Sequence, residues 1–307
     1  MKIGYIGLGK MGFNMVERLL EKGYEVVVYD KNKDAVKKIS VPHAKPASSL
    51  KSLALAIPAP RLIWLMVPYQ AVDEVLKGIT PFLKKGDTVI DGGNSPYKES
   101  IRHAEGLKKN GINFLDAGIS GGPQGARNGA CIMAGGRREI FKKHEDLFKD
   151  LSAENGYVYA GKSGAGHFVK MIHNGIEYGM MQALAEGFAV MKESPFDLDL
   201  KKIAALYNHK SVIESRLVGW LKNAFRKYGE DLKGISGAVS HSGEGEWVVR
   251  EAKKLGVPVP IIKGALDFRL KSRGKPSYTG KILSALRNQF GGHEVKLKGR
   301  IQVKIIN

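Results

Sequence analysis

Residues 2–12 read KIGYIGLGKMG. A short apolar run is followed by three glycines in the pattern GxGxxG, and a helical pattern continues through Asn14–Leu20. In such a unit Gly7 permits a tight turn, Gly9 lets the backbone approach a pyrophosphate, and Gly12 lets the helix pack closely on the strand. Because the helix N-terminus also attracts phosphate, this stretch predicts a dinucleotide site at the start of a parallel sheet.

The choice between NAD and NADP depends on Asp30, which ends the next predicted strand. Its carboxylate can accept hydrogen bonds from the adenosine ribose, and its negative charge opposes a 2′-phosphate. NAD is therefore preferred. The neighbouring cations of Lys31 and Lys33 can accommodate a 2′-phosphate, so NADP stays open.

Alternating strands and helices predict the fold class of the first half. The predicted strands are Lys2–Ile6, Glu25–Tyr29, Leu62–Val67, Thr88–Asp91, Asn113–Ala117 and Ala130–Ala134. After Gly164 only helical runs follow, at 166–193, 197–208, 211–228, 245–255, 260–272 and 278–290. We therefore expect an α/β Rossmann-type domain with a doubly wound parallel sheet, followed by an all-α helical domain. The expected bounds are 1–162 for the dinucleotide-binding domain, 163–293 for the helical substrate and oligomerisation domain, and 294–307 for a basic tail.

The carboxyl edge of the sheet gives further cofactor residues, because ligands bind there in doubly wound folds. Met66 and Val67 end a predicted strand at this edge and would line the nicotinamide side, although ordinary sheet core explains them equally well. The predicted cofactor-binding residues are Gly7, Leu8, Gly9, Met11, Gly12, Asp30, Lys31, Met66, Val67 and Asn94.

A second group of reactive residues lies at helical spacing in residues 170–177, KMIHNGIE. Lys170, His173, Asn174 and Glu177 fall within about 100° of one helix face, and Lys170 and Glu177 are separated by about 10 Å along the axis. A solvated amphipathic face is the ordinary explanation of such a pattern. The apolar and small neighbours instead favour a buried helix, in which burial lowers the pKa of an amine and raises that of a carboxyl. Those shifts suit an acid–base pair near neutral pH.

Two glycine-rich loops follow strands at the same edge: residues 91–95, DGGNS, and residues 118–126, GISGGPQGA. Backbone N–H groups and small polar side chains in such loops can bind carboxylates or hydroxyls. Each loop alone is also explained by a tight turn.

Together with residues 164–178, GAGHFVKMIHNGIEY, these loops resemble decarboxylating 6-phosphogluconate dehydrogenase, in its short-chain form. The resemblance runs from the glycine loop to residues 287–293, RNQFGGH. It implies oxidation of 6-phosphogluconate to ribulose 5-phosphate and CO₂ with reduction of NAD(P), a step of the pentose phosphate pathway.

The resemblance also assigns roles to individual residues. Lys170 would be the general base and later acid, and Glu177 the acid that protonates the product carbon; His173 and Asn174 complete the catalytic group. The residues implied in substrate binding are Asn94, Ser120, Gly121, Gly122, His173, Asn174, Tyr178, Arg269, Arg287 and His293. Tyr178 and the last three are implied at the substrate phosphate, with Arg287 and His293 supplied by a neighbouring subunit.

The chain departs from the long-chain members of this family in three ways. It is too short for their second helical half-domain, which leaves the choice between homodimer and homotetramer open. Glu246-Trp247 stands where the long form has a basic residue before tryptophan, so that phosphate contact is not expected. Asp30-Lys31 replaces an Asn-Arg pair that reads the NADP phosphate, which again favours NAD.

Two other functions compete with this one. A β-hydroxyacid dehydrogenase of the 3-hydroxyisobutyrate type shares the glycine loop and the lysine, but lacks the DGGNS loop and the Gly-Ile-Glu-Tyr continuation. A dinucleotide-binding regulator without turnover is the non-enzymatic alternative. The histidines do not cluster with carboxylates at metal-ligand spacing, so no metal is expected.

Composition narrows the class of protein. The net charge of +19 comes from lysines dispersed over many helices, so nucleic acid is not expected as the main partner. The single cysteine, Cys131, excludes an intrachain disulfide and is expected to pack as a small apolar residue. No signal peptide or membrane-spanning run is recognised, which predicts a cytoplasmic protein.

Overall fold

The computed structural model describes residues 1–39, 44–241 and 243–295. The chain forms two compact units, Met1–Ile172 and His173–Asn307. The division falls inside one long helix, whereas the change in sequence pattern near residue 162 marks the point just before that helix begins. Most of the predicted basic tail, residues 296–307, lies outside the described residues. No helix in the described ranges combines the length and apolar character needed to cross a membrane.

The first unit contains one eight-stranded sheet. Its strands are β1 Lys2–Ile6, β2 Glu25–Tyr29, β3 Ala44–Pro46, β4 Leu62–Leu65, β5 Thr88–Asp91, β6 Asn113–Ser120, β7 Ala130–Gly136 and β8 Ser152–Gly161. Their spatial order is β3-β2-β1-β4-β5-β6-β7-β8. The order reverses between β1 and β4, which is the arrangement that opens a ligand crevice at the carboxyl edge of a doubly wound sheet.

The expected α/β class is confirmed, but the sheet is not wholly parallel. Strands β6 and β7 pair antiparallel, with Ser120 opposite Cys131, while every other described pair of neighbouring strands is parallel. Only α6, Gly122–Asn128, connects β6 to β7, and so short a connection does not return the chain to the starting edge of the sheet. Cys131 is exposed, so its expected packing as a core residue is wrong.

Strands β3 and β8 were not predicted. Strand β3 has three residues and ends in Pro46, which cannot donate to a sheet ladder. Strand β8 is an edge strand that carries Glu154, Asn155 and Gly156, and its register with β7 is irregular. Strand β3 has no apolar run, whereas the run 157–160, YVYA, in β8 was overlooked.

Helices cover both faces of the sheet. They are α1 Lys10–Glu21, α2 Lys33–Lys38, α3 Leu50–Leu55, α4 Tyr69–Ile79, a 3₁₀ turn at Thr80–Phe82, α5 Tyr97–Lys108, α6, α7 Arg138–Lys143 and α8 Glu145–Leu151. Successive strand residues enter opposite layers: Tyr5 and Trp64 belong to one core cluster, and Ile6 and Leu65 to the other. This alternation follows from the two-residue period of a strand.

Helix α9, Ala165–Glu193, begins in the first unit and continues into the second. The second unit then contains α10 Leu200–Tyr207, α11 Arg216–Tyr228, α12 Glu244–Lys254, α13 Pro260–Ser272 and α14 Tyr278–Gly291. Its core includes Phe188, Leu221, Phe225 and Leu286. The predicted helix over 211–228 starts late because the Ser215 side chain accepts a hydrogen bond from the N–H of Val218 and so caps α11.

Candidate active site

The three glycines of the first loop have different surroundings. Gly7 has φ +101°, and a Cβ there would overlap the carbonyl oxygen of Met66; a Cβ on Gly12 would overlap the carbonyl oxygen of Gly7. Around Gly9, by contrast, an added Cβ would find no heavy atom within 4 Å. Two glycines therefore serve chain packing, whereas Gly9 faces open space at the N-terminus of α1, as a bound pyrophosphate requires.

Asp30 lies immediately after β2 and is hydrogen-bonded to the glycine loop of residues 7–12. Its Oδ2 accepts a hydrogen bond from the N–H of Leu8 at 2.6 Å, and its Oδ1 accepts one from the N–H of Asn32 at 2.7 Å. Each carboxylate oxygen has further acceptor capacity, so ribose hydroxyls can bind beside these N–H groups. Lys31 is exposed next to it, and the half-buried Met11 packs against the core from α1.

The segment after β4 forms the opposite wall of this loop. The N–H of Met66 donates to the carbonyl oxygen of Ile6 at 2.7 Å, which places Met66 directly beyond the paired ends of β1 and β4. Val67 is half-buried and its methyl group would be 2.9 Å from a Cβ on Gly7. Both residues therefore stand at the edge where the nicotinamide side was predicted.

A buried carboxylate shapes the DGGNS loop. Asp91 is fully buried; its Oδ1 accepts from the N–H of Gly93 at 2.9 Å and its Oδ2 from the hydroxyl of Ser95 at 2.8 Å. A Cβ on Gly93 would lie 2.6 Å from the carbonyl oxygen of Val67. The turn is thus held from inside, and it carries the half-buried Asn94 at its tip.

The second loop follows β6 with two left-handed glycines, Gly121 at φ +122° and Gly122 at φ +62°. Both values favour glycine over residues with a side chain. The pair turns the chain directly from the half-buried Ser120 into α6. Ser120 and the N–H groups that follow it therefore lie at the end of β6.

Asp116 of β6 fixes the start of helix α9. It is fully buried, and its Oδ1 and Oδ2 accept hydrogen bonds from the N–H groups of Gly164 at 2.7 Å and His167 at 2.9 Å. These N–H groups stand at the first turn of the helix, where no intrahelical partner exists and a negative charge is favourable. A strand side chain thus performs the capping that Ser, Thr, Asp or Asn usually performs from the helix itself.

Glycines bring this helix unusually close to the sheet. A Cβ on Gly166 would overlap the carbonyl oxygen of Met133, and a Cβ on Gly118 would overlap the Cβ of Lys170 and lie 2.9 Å from the carbonyl oxygen of Gly166. The aliphatic stem of Lys170 therefore lies directly on β6, two residues before Ser120. Lys170 itself is half-buried.

Asp116 and Asp91 were not recognised in the sequence as determinants of the site. Asp116 interrupts the apolar strand β6, and Asp91 is the last residue of the apolar strand β5. A buried carboxylate must be paired or hydrogen-bonded, so a carboxylate within an apolar strand is the signal that could have identified both residues.

The remaining residues of the predicted helix face belong to the second unit. Asn174 is buried, and its Oδ1 lies 3.2 Å from Nδ1 of His173. The same Nδ1 lies 3.9 Å from a carboxylate oxygen of Glu177, whose side chain is 25% exposed. Amide, imidazole and carboxylate are therefore adjacent.

The expectation that the whole helix is buried is wrong. Its exposed large apolar side chains are Val169, Ile176, Met180 and Val190. They recur at spacings of four, seven and ten residues, which places them on one stripe of the helix.

Two buried arginines form the most unusual feature of the second unit. Arg269 is 1% exposed and its guanidinium lies over the ring of Tyr178 at 3.4 Å, while its Nε has no hydrogen-bond partner in the described part of the chain. Arg287 is 7% exposed and donates to the hydroxyl of Ser240 at 2.5 Å. Neither forms a salt bridge with a carboxylate of the described residues.

Burial lowers the pKa of both arginines, that of Arg269 to about 10. The charge of Arg287 lowers the pKa of Arg269 further, whereas Tyr178 and Glu177 raise the pKa of both arginines. Burial likewise raises the pKa of Tyr178. Buried cations without a salt-bridged carboxylate are costly, and an anion bound between them would relieve that cost. This arrangement favours an anion, and Arg287 of the same chain is close enough to Arg269 to lower its pKa.

His293 follows just after the end of α14. It is exposed, its ring lies edge-on to Phe290 at 6.3 Å, and its carbonyl oxygen accepts from the side chain of Asn288 at 2.8 Å. Its contribution to a phosphate site, implied by the resemblance, stays a prediction.

Among the described residues, one group of side chains in the first unit has metal-ligand spacing, so the expectation that no histidine clusters with carboxylates is wrong. Asp73, Glu99 and His103 place their ligand atoms within 4.8 Å of one another. Arg102 occupies this cluster, since its Nη2 lies 2.7 Å from Asp73 and 2.5 Å from Glu99. The guanidinium offsets one of the two negative charges, which weakens the attraction for a metal ion.

Comparison with known proteins links both units to one family. A family model described as the NAD binding domain of 6-phosphogluconate dehydrogenase matches residues 2–161, and the model of the 6-phosphogluconate dehydrogenase C-terminal domain matches residues 166–281. The Bacillus subtilis protein named "Putative 6-phosphogluconate dehydrogenase YqeC" is 48% identical over 298 residues, 97% of this chain and 100% of its own. An NAD(+)-dependent, decarboxylating 6-phosphogluconate dehydrogenase of Haloferax volcanii is 40% identical, covering 97% of this chain and 99% of its own.

Solved structures agree with this assignment. The Plasmodium falciparum 6-phosphogluconate dehydrogenase, studied with NADP+ and with 6-phosphogluconate, matches 93% of this chain and 70% of its own at a TM-score of 0.79 and 28% identity. A 3-hydroxyisobutyrate dehydrogenase of Salmonella typhimurium matches 92% of this chain and 99% of its own at a TM-score of 0.72, but at 21% identity it is alike in fold alone.

The surroundings of the glycines predict the effect of a side chain at position 9. Gly9→Val should leave the free energy of unfolding nearly unchanged, because Gly9 has an extended backbone and open space around it. It should abolish dinucleotide binding, because the side chain would fill the space in front of the helix N-terminus. Calorimetric titration with NAD and NADP, beside urea unfolding, measures both effects. Gly12→Ala is the opposite control and should destabilise the fold; dinucleotide binding by Gly9→Val at the wild-type affinity would contradict this assignment.

Proposed function

The chain belongs to the 6-phosphogluconate dehydrogenase family, and we propose that it catalyses the oxidative decarboxylation of 6-phosphogluconate to ribulose 5-phosphate and CO₂ with NAD or NADP. The observation that carries the proposal is the pair of buried arginines, Arg269 and Arg287, without a carboxylate partner beside Tyr178. A phosphorylated substrate supplies the missing negative charge. A small unphosphorylated hydroxy acid such as 3-hydroxyisobutyrate has a single carboxylate and no phosphate that could offset both cations.

Helix α9 carries the two groups proposed for proton transfer. Lys170 and Glu177 are two turns apart on one continuous helix, so their spacing is set by helix geometry. The Lys170 stem rests on Gly118, next to the loop of Ser120 to Gly122. His173 and Asn174 lie between them on the same face and can bind substrate hydroxyls.

The proposed mechanism begins with Lys170 as the base. Unprotonated Lys170 accepts the proton of the hydroxyl on carbon 3 of 6-phosphogluconate. A bound nicotinamide would accept the hydride from the same carbon. The product of this step is a β-keto acid, in which the bond to the carboxylate can break because the keto oxygen accepts the electron pair.

The second half of the mechanism uses both residues. Protonated Lys170 donates to the keto oxygen as CO₂ leaves, which stabilises the enediol. Glu177 then donates a proton to the carbon that lost the carboxylate, which is carbon 1 of ribulose 5-phosphate, while Lys170 takes its own proton back. Lys170 thus acts in turn as base, acid and base, whereas Glu177 acts once as acid.

For the cofactor we propose NAD before NADP. Asp30 accepts hydrogen bonds from two backbone N–H groups, so its carboxylate stays fixed where a 2′-phosphate would approach. The Haloferax volcanii relative is NAD(+)-dependent, which agrees with this preference. The exposed Lys31 keeps NADP as the second choice.

We further propose that the protein works as a homodimer or homotetramer in the cytoplasm. The exposed apolar side chains of Ile176, Met180 and Val190 on α9 support association between copies, because an apolar stripe of this kind is costly in water. Ile261 of α13, which lies beside Gly179, extends this stripe.

The direct test is an assay of the purified chain with 6-phosphogluconate labelled with ¹³C at carbon 1. We expect one labelled CO₂ for each NAD or NADP reduced, together with ribulose 5-phosphate. Dinucleotide reduction without CO₂ would contradict the decarboxylating reaction. Reduction with 3-hydroxyisobutyrate, and none with 6-phosphogluconate, would favour the alternative substrate class.

Lys170→Met tests the base. The variant keeps the aliphatic stem on Gly118 but loses the amine, so kcat should fall by about 10²–10⁴-fold while dinucleotide affinity stays within about twofold. Steady-state kinetics and calorimetry measure the two quantities. Lys162→Met removes an exposed lysine just before the same helix and should keep the wild-type kcat. A wild-type kcat in Lys170→Met would remove this residue from the chemistry.

Glu177→Gln tests the acid. Hydride transfer precedes protonation of the product carbon, so the first turnover should still reduce one dinucleotide per site, whereas steady-state release of ribulose 5-phosphate should fall about 10²-fold. Rapid-mixing measurement of dinucleotide reduction, beside product assay, separates the steps. Glu186→Gln changes an exposed carboxylate further along α9 and serves as the control. If Glu177→Gln releases product at the wild-type rate, another group protonates that carbon.

A further inference from the structure

His241 lies at the border of the buried arginine pair. Its side chain is only 10% exposed, and its Nδ1 has no hydrogen-bond partner in the described ranges. The carboxylate oxygen of Glu246 lies 3.7 Å from that nitrogen, which is too far for a hydrogen bond. A buried imidazole nitrogen left in this state points to a ligand.

The preceding residue ties His241 to the anion site. Arg287 of α14 donates through Nη1 to the hydroxyl of Ser240 at 2.5 Å. The hydrogen bond holds the segment before α12 against the arginine. His241 is the next residue after Ser240, and its imidazole is close enough to Arg269 and Arg287 to feel their charges.

Charged groups from three helices face this imidazole. They are Glu246 of α12, Arg269 of α13, Arg273 just beyond the end of α13, and Arg287 of α14. Burial lowers the pKa of His241 most, the three arginines lower it further, and Glu246 opposes them. The arginines in turn feel Glu177, Glu244 and Tyr178. In the ligand-free state cations therefore outnumber the anions that face His241.

We propose that His241 is a third cationic ligand of the site formed by Arg269 and Arg287, and that it takes up a proton when a phosphate-like dianion binds there. Bringing two negative charges to this site offsets the repulsion from the arginines and gives the protonated imidazole a strong acceptor. The identity of the natural dianion, the phosphate of the substrate, rests on the proposed function. The presence of the anion site does not.

The sign of the pH dependence follows from the two states. The free imidazole has a pKa below the ordinary value of 6.5, and the bound dianion raises it. Affinity for the dianion is then highest below the pKa of the free state. It declines as the pH rises from the free to the bound pKa, and levels off above the latter.

Sulfate is the suitable probe, because it stays a dianion across this pH range whereas a phosphate monoester changes charge. We would titrate sulfate into the full chain by calorimetry between pH 5.5 and 7.5, in buffers of different ionisation enthalpy. For the wild type we expect uptake of a fraction of a proton, up to one, for each sulfate bound. No proton uptake by the wild type in this range would overturn the proposal, whatever the behaviour of any variant.

His241→Gln should bind sulfate about tenfold more weakly at pH 5.5 and should lose most of the proton uptake. His209→Gln is the matched control, since His209 is an exposed histidine near the end of α10 and should leave affinity and uptake unchanged. Proton uptake in His241→Gln equal to that of the wild type would assign the proton to another group and overturn the proposal. A chain that shows the expected uptake but does not oxidise 6-phosphogluconate would contradict the proposed function alone.

Discussion

The candidate site depends on one contact in the first unit, the close approach of helix α9 to strands β6 and β7. Three glycines make it possible, because a Cβ on Gly118, Gly135 or Gly166 would overlap neighbouring atoms of the strand or the helix. The carboxylate of Asp116 then fixes the rotation of the helix through the N–H groups of Gly164 and His167. With both position and rotation set, Lys170 must lie against Gly118. Helix α9 itself runs from Ala165 to Glu193, and Glu177 lies on it two turns after Lys170.

The second unit holds two positive charges in its interior. Arg269 and Arg287 are buried, and the ring of Tyr178 and the hydroxyl of Ser240 are their visible partners in place of carboxylates. A π face and a neutral hydroxyl stabilise a guanidinium less than a carboxylate does, so the site keeps an attraction for an added anion. Part of the positive charge of this chain is therefore buried, in contrast to the solvated lysines of its surface.

Features with a local cause could be predicted from the sequence. The glycine loop, Asp30, strands such as β1 and β2, and the helical face of Lys170 and Glu177 follow from spacing and periodicity within a few residues. Features that depend on distant partners could not. Asp116 acts on a helix that begins 49 residues later, and the antiparallel direction of β7 follows from a short connection. The exposed stripe of α9 was missed because small and apolar neighbours look alike whether they face a core or another molecule.

The position of Lys170 against β6 is tested most directly by kcat of Gly118→Ala with 6-phosphogluconate. A methyl group there would push the lysine stem away from the strand, and a displacement of about 1 Å can lower turnover about a hundredfold. We predict such a loss in a folded variant whose dinucleotide affinity is unchanged. The matched change Gly106→Ala, in a helix where an added Cβ meets nothing within 4 Å, should keep the wild-type kcat. A wild-type kcat in Gly118→Ala would show that this contact does not position the catalytic lysine.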